Sequence, residues 1–208
     1  MRISDLPFGS NIKIPERRED GTYELAGYTL GCLNNFDVGT AGLIREEVHS
    51  LCRFGNGTEY VGSDLDKRMT EIYNSYPDEF KELIIPSTIS LYNGSGAENI
   101  TRKVFAPTLT MVGYGDNEGI EEGLAWPIFT GRNSRKKTFN GSAAYWWLSS
   151  RYSSDNAWYV FTDGSANYYG NPSYSNGVVP AFIILQSVQI DDTPDNDGSY
   201  RLTVLNYA

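Results

Sequence analysis

Apolar and polar positions alternate over short stretches at the start of the chain. LPFGSNIKI (residues 6–14) and TYELAGYTLGCL (residues 22–33) read as strands set between glycines and charged turns. The period changes at Ser63. Leu65, Met69, Ile72 and Tyr73 then fall on one helical face, with Ser63 placed to cap and Asp66 at the capping-box position. A second short helix is expected from about Pro77, with Phe80, Leu83 and Ile84 inward and Pro86 as its stop. Beyond it KVFAPTLTMVG (103–113), YWWLSS (145–150), AWYVFT (157–162) and GVVPAFIIL (177–185) read as strands between Gly, Asn, Asp and Ser. Asp163-Gly164 marks a hairpin, and YRLTVLNY (200–207) reads as a last strand. Two helices in the first half and a largely antiparallel, loop-rich sheet in the second define an α+β class. With no internal repeat or linker, residues 1–208 read as one domain.

Composition removes several function classes. Acidic residues outnumber basic ones by 26 to 17, and a net charge of −9 argues against nucleic-acid binding. No apolar run approaches the roughly 20 residues of a membrane span, and MRISDLPFGSNIKI lacks a secretory apolar stretch, so no membrane insertion is expected. Cys32 and Cys52 show no zinc spacing and read as buried thiols. His49 is the only histidine, which leaves no HExxH and no Ser/His/Asp set. Packing accounts for it and for Cys52 better than a catalytic pair does. No enzyme and no cofactor is expected.

The acidic stretches DNEGIEE (Asp116, Glu118, Glu121, Glu122) and DDTPDNDG (Asp191, Asp192, Asp195, Asp197) lack EF-hand spacing and read as solvated turns. The basic run RNSRKK (Arg132, Arg135, Lys136, Lys137) reads as a solvated loop, and Asn56, Asn93, Asn99 and Asn140 as turns.

No Glu follows Glu122 and no Lys follows Lys137, so the last third carries a different kind of surface. Between Arg151 and Asn176, Tyr, Ser, Asn and Asp fill 16 of 26 positions, and Lys and Glu, the types depleted at interfaces, are absent. Antibody paratopes share this bias, because Tyr gives rigid contact area at low entropic cost and small polar groups give adaptable hydrogen bonds. Turn chemistry alone accounts for part of the bias. The strongly apolar flanks YWWLSS and GVVPAFIIL nevertheless suit a rigid base under a displayed insert. Period-two alternation puts Trp158 and Val160 on one face of that strand, Tyr159 and Phe161 on the other.

These residues resemble an uncharacterised bacterial and phage domain family with a C-type-lectin-like fold. Its C-terminal signature is Tyr-Trp-Leu-Arg-Ser-Pro, Asp-Gly, then Gly-Val-Arg-Pro-Ala, and DLPFGSNIKI, AGLIREEVHS and KVFAPTLTMVG look like it as well. Ser149 and Val179 stand where that pattern has arginine. The family includes variable proteins of diversity-generating retroelements, in which adenine-directed mutagenesis rewrites a ligand-binding face, often in phage receptor-binding proteins. The resemblance thus implies a macromolecular ligand, protein or glycan on a cell surface, and a place on a virion or cell surface. Carried over by position, the implied binding residues are Tyr152, Ser153, Ser154, Asp155, Asn156, Tyr159, Phe161, Asn167, Tyr168, Tyr169, Asn171, Ser173, Tyr174, Ser175 and Asn176. A structural interaction module and a carbohydrate-binding lectin are the alternatives. The formylglycine-generating enzymes share a lectin-like fold but depend on C-terminal cysteines, and no Cys follows Cys52.

Overall fold

The computed structural model describes residues 1–207. After a 3-10 turn at Ile3–Asp5 come β1 (Asn11–Arg17), β2 (Tyr23–Leu33), β3 (Thr40–Arg45) and β4 (Ser50–Arg53). Helices α1 (Asp64–Ser75) and α2 (Asp78–Leu83) lead into the hairpin of β5 (Ser87–Tyr92) and β6 (Ala97–Arg102), and then β7 (Val104–Phe105). A single helical turn, α3 (Arg132–Arg135), precedes a second hairpin, β8 (Lys137–Phe139) with β9 (Ser142–Ala144). The remaining strands are β10 (Trp146–Arg151), β11 (Ala157–Val160), β12 (Ala166–Gly170), β13 (Ser175–Val178), β14 (Ala181–Leu185) and β15 (Tyr200–Arg201).

The class is α+β: the pair of helices α1 and α2 lies between β4 and β5, and the sheets, built from strands on both sides of it, are mostly antiparallel and loop-rich. One sheet runs β15-β1-β2-β3-β14-β7 and the other β12-β11-β10-β13-β4. Two short connections step directly between them. Val178 belongs to one sheet and Ala181 to the other, with Pro180 at the step, where its missing N–H costs no ladder bond and its carbonyl accepts from the Arg45 N–H at 3.0 Å. The chain makes the opposite step between β3 and β4. GVVPAFIIL is therefore two strands in two sheets. Both arginine-signature positions lie inside: Val179 is fully buried, and the buried Ser149 hydroxyl bonds to the carbonyl of Ala106 at 2.9 Å.

Helix α1 forms as its periodicity dictates. The Ser63 hydroxyl accepts from the Asp66 N–H at 3.1 Å, and Leu65, Met69 and Ile72 are buried. Asp66 does not complete the capping box but accepts from the Gly62 N–H at 2.9 Å and takes Arg102 on both oxygens, at 2.8 and 2.7 Å. In α2, Phe80 is buried against Tyr76 and Phe182, while Leu83 stays half-buried. Phe182 of β14 also meets Tyr28, at 5.0 Å between ring centroids. The Tyr28 hydroxyl donates to Glu16 at 2.6 Å and lies 2.6 Å from that of Tyr76, and Arg45 grips both Glu16 oxygens at 3.0 Å. That buried charge pair is fully hydrogen-bonded, the condition under which one is tolerated.

Further expectations are corrected. In KVFAPTLTMVG only Val104–Phe105 is a strand. Pro107 has no N–H to continue the ladder, and its carbonyl and that of Ala106 are taken by Ser149. YRLTVLNY is strand only at Tyr200–Arg201, parallel to β1. Asn99 lies in β6 opposite Ser90 and is not in a turn, whereas Asn140 and Gly141 do turn between β8 and β9, both with positive φ, +50° and +78°. RNSRKK is not a solvated loop, since Arg135 and Lys137 are buried.

The Lys137 ammonium keeps one hydrogen bond, 2.7 Å to the carbonyl of Arg45, and burial pushes its pKa down from 10.5 to about 8. Between those values the unfolded chain holds a proton that the folded one releases, so this group's contribution to stability rises with pH across that window. Below it the folded state carries a buried charge. Lys137→Met is expected to be more stable than the parent at pH 7 by on the order of 2 kcal/mol. Urea melts at a series of pH values should show that advantage shrinking toward pH 10.5. An advantage independent of pH would mean that the buried ammonium is not its source.

Candidate ligand-binding face

The compositionally biased segment is built on β11 and β12, and its geometry follows from two departures from regular pairing. Val160 lies opposite Ala166 and Tyr159 opposite Asn167, yet Ala157 faces Gly170, so two steps along β11 match three along β12. The extra residue is a β-bulge. It sets the consecutive Tyr168 and Tyr169 rings together, 4.3 Å between centroids, with the Tyr168 hydroxyl donating to that of Tyr169 at 3.1 Å. Asn167 Oδ1 accepts from the Tyr169 N–H at 2.9 Å.

The second departure is at the turn. Asp163 Oδ1 accepts from the Ser165 N–H at 2.9 Å, and Gly164 has φ +83°. A Cβ on Gly164 would lie 1.8 Å from the carbonyl oxygen of Arg132, so only glycine fits. The buried Arg135 clamps this turn: Nε donates to the Gly164 carbonyl at 2.8 Å and Nη1 to that of Val112 at 3.1 Å, and its own carbonyl accepts from the Trp146 indole at 3.0 Å.

Consecutive residues of β11 have separate aromatic surroundings. Trp158 touches Tyr114, Tyr152 and Tyr168, and its indole donates to Asn117 Oδ1 at 3.0 Å. Tyr159 instead touches Tyr145, Trp147 and Phe161. The expected alternation thus holds for Tyr159 with Phe161. On the other side Val160 is fully buried while Trp158 is half-buried among tyrosines.

The fifteen implied residues therefore do not form one patch. Tyr159 and Phe161 share a face with Tyr145, whose ring meets Phe161 edge-on at 4.7 Å. Tyr174, 59% exposed, stands close enough to help raise the Tyr159 phenol pKa, after burial and Tyr145, so that Tyr159 stays a neutral donor. Ser175 and Asn176 line an adjoining groove of about 230 Å³ with Leu51, Phe139 and Tyr145. Tyr152 and Tyr168 pack against Trp158 and each other, and Tyr169 stacks on Tyr168.

Among the polar positions, several side chains close local turns. Ser153 Oγ accepts from the N–H groups of Asp155 and Asn156, and Asn171 Oδ1 from the Ser173 N–H and hydroxyl. Ser154 and Asp155 bond to each other at an exposed tip. Asn156, Ser175 and Asn176 have no side-chain hydrogen bond among the described residues and remain open to a ligand.

Sequence reasoning missed Tyr145 and Leu51, which are 41% and 44% exposed on this face. Tyr145 shares strand parity with Trp147, which places both on the Tyr159 side, a signal available in YWWLSS. Leu51 belongs to β4, brought alongside only by the pairing of Gly177 with Leu51, and nothing local announces it.

The remaining reactive groups lie elsewhere. Cys32 and Cys52 are free thiols in different sheets, held protonated by burial at about 12 and about 11; Cys52 is only half-buried. His49 belongs to the Glu16 cluster, its Nε2 3.9 Å from the carboxylate and its pKa lowered by burial. Glu122 is not in a solvated turn but fully buried. Asp195 and Asp197 pair with Arg201 and Lys13, at 2.8 and 2.6 Å. Among the described residues no group of three or more His, Cys, Asp or Glu is arranged around a metal position, and no helix is long and apolar enough to cross a membrane.

These features define an α+β protein with an aromatic face on a strand-built base. The model of a family described as a domain of unknown function, DUF6273, matches residues 39–186, from β3 to the end of β14, and the chain belongs to that family. The match spans both inter-sheet steps and the whole aromatic face. No curated protein and no solved structure matches the chain.

Proposed function

We propose that this chain is a non-catalytic recognition protein with a C-type-lectin-like fold, and that a macromolecular ligand docks on the face formed by Tyr145, Tyr159, Phe161 and Tyr174. The observation that carries the reading is a set of accessible aromatic rings over the fully buried Trp147, beside uncommitted Asn and Ser side chains. Rigid aromatic anchors with adaptable polar neighbours are what a paratope uses. In this reading residues 151–176 are a diversified segment of the kind found in variable proteins of retroelements, and the ligand is a protein or glycan on a cell surface. Residues whose side chains bond to nearby backbone, Ser153, Asn167 and Asn171, hold the scaffold, and the open ones tune specificity.

The test is binding of the intact protein to a panel of bacterial cells and to arrayed glycans, followed by substitution. Tyr145→Ala, Tyr159→Ala and Tyr174→Ala are each expected to weaken binding by about 2 kcal/mol, as anchor residues do. Tyr168→Ala and Tyr169→Ala serve as controls on the other face. Loss confined to those two would move the site there, and no loss at any of the five would end the proposal. Diversification has its own test at the locus: a near-copy of the DNA for residues 151–176, differing mainly at adenines, beside a reverse-transcriptase gene.

A further inference from the structure

A different cavity, of about 350 Å³, opens where the loop before α1, the β5–β6 hairpin and the end of β10 meet. Its volume is that of a small-molecule site. None of the rings of the proposed docking face lines it. Its floor is Tyr60, Leu91 and Ser149, all buried; Arg151 forms one wall, and Glu59 and Glu98 stand exposed at the rim.

The floor is fixed before any ligand arrives. The Tyr60 hydroxyl accepts from the Ala106 N–H at 3.1 Å, and Ser149 donates to the Ala106 carbonyl. The Tyr92 N–H is held at 2.8 Å by buried Glu122. Arg151, with 17% of its side chain exposed, is equally constrained. Nε donates to the Ser153 carbonyl at 3.1 Å and Nη1 to that of Asn93 at 2.8 Å, while Glu59 is reached only at 3.4 Å. Gly94 lies so close that a Cβ there would sit 3.1 Å from the guanidinium carbon. Nη2 has no hydrogen-bond partner among the described residues.

The charges select the ligand. A held guanidinium with donors to spare matches a carboxylate. Two rim carboxylates against one cation leave a net negative lining, which rejects a simple anion and favours a ligand that also carries an ammonium. A simple cation would have to sit beside Arg151 with no partner for the spare donor. We propose that this cavity binds a free α-amino acid, its carboxylate on Arg151, its ammonium between Glu59 and Glu98, and its side chain over Leu91 and Tyr60.

The experiment is isothermal titration of the full chain with individual L-amino acids, and with the amide and N-acetyl form of any that bind. Saturable binding that disappears when either charge of the ligand is removed is expected. Glu59→Gln and Glu98→Gln, at exposed positions that leave the fold intact, should each weaken it about fivefold, the upper range for exposed ion pairs. Arg151→Lys should weaken it further, with circular dichroism checking that the variant folds. The proposal is overturned if no amino acid binds, if the amide or a polyamine such as putrescine binds as well as the acid, or if both Gln variants bind like the parent. Tyr174→Ala, which disables the docking face, should leave this binding unchanged, so the two readings fail separately.

Discussion

Trp147→Ala is expected to lower the free energy of unfolding by about 3–5 kcal/mol, the usual range for losing a fully buried indole. Trp147 is wholly inaccessible and spans three strands. Its indole N–H reaches past β13 to the Cys52 carbonyl of β4 at 3.0 Å, its ring meets Phe54 and Tyr159 at 5.5 and 6.0 Å, and a Cβ on Gly170 would come within 2.6 Å of it. Truncation therefore empties the space beneath Tyr159 and leaves the part-buried Cys52 carbonyl without its indole donor. Trp147→Phe keeps most of the apolar contact and loses only the N–H, so about 1–2 kcal/mol is expected. Urea melts followed by circular dichroism measure both. A loss under about 1 kcal/mol for Trp147→Ala would mean that the ring is not the floor of the face.

Legibility in the sequence tracks how local the determining interaction is. Helix α1 is visible because its cap and apolar stripe lie within a dozen residues, and the Asp163-Gly164 turn because Gly alone fits there. The β5–β6 hairpin carries a readable alternation in its first strand, Ile89 and Leu91 inward with Thr88 outward, but its second strand buries only Ile100, so the pair does not stand out. The early end of the strand in KVFAPTLTMVG is only half readable: Pro107 is a local break, but the competing partner of its carbonyls, Ser149, lies more than forty residues away. Burial of Lys137 and Arg135 is likewise a tertiary outcome: a run of cations signals solvent until a distant backbone supplies carbonyls.

The same distinction divides the candidate face. Composition located the segment because Tyr, Asn, Ser and Asp are visible one by one. It could not divide the segment into two faces, since that depends on strand parity and on a bulge in β12 that only pairing with β11 reveals. Nor could composition separate the Asn and Ser side chains that close turns from those left open. The bulge also bears on the edge of the five-stranded sheet, where β12 lies: a local twist there blunts the edge against pairing with another chain.

Glu122→Ala is expected to cost about 3 kcal/mol, while Glu122→Gln should stay within about 1 kcal/mol of the parent. The carboxylate is fully buried without a cation, accepting from the Tyr92 N–H at 2.8 Å, from Asn117 Nδ2 at 3.1 Å and from the Ser150 hydroxyl. Alanine leaves the Tyr92 N–H, the Ser150 hydroxyl and one of the two Asn117 amide N–H groups without this acceptor. Glutamine retains an acceptor and removes a charge whose burial, partly offset by those hydrogen bonds, raises the carboxyl pKa above its usual 4.5. The folded state thus takes up this proton more readily than the unfolded chain. As pH falls from neutral through the raised value toward 4.5, Glu122 adds stability that the Gln variant lacks, and paired melts should show the difference move in the parent's favour. Opposite movement would place the charged form as the one the fold prefers. The effect reaches the surface through Asn117, whose Nδ2 also donates to the Arg151 carbonyl at 2.7 Å and whose Oδ1 holds the Trp158 indole. Releasing Asn117 in the alanine variant should therefore shift Trp158 emission, measured against a Trp158→Phe reference, and loosen Arg151 in the amino-acid cavity. Unchanged Trp158 emission would separate the buried carboxylate from the tyrosine stack.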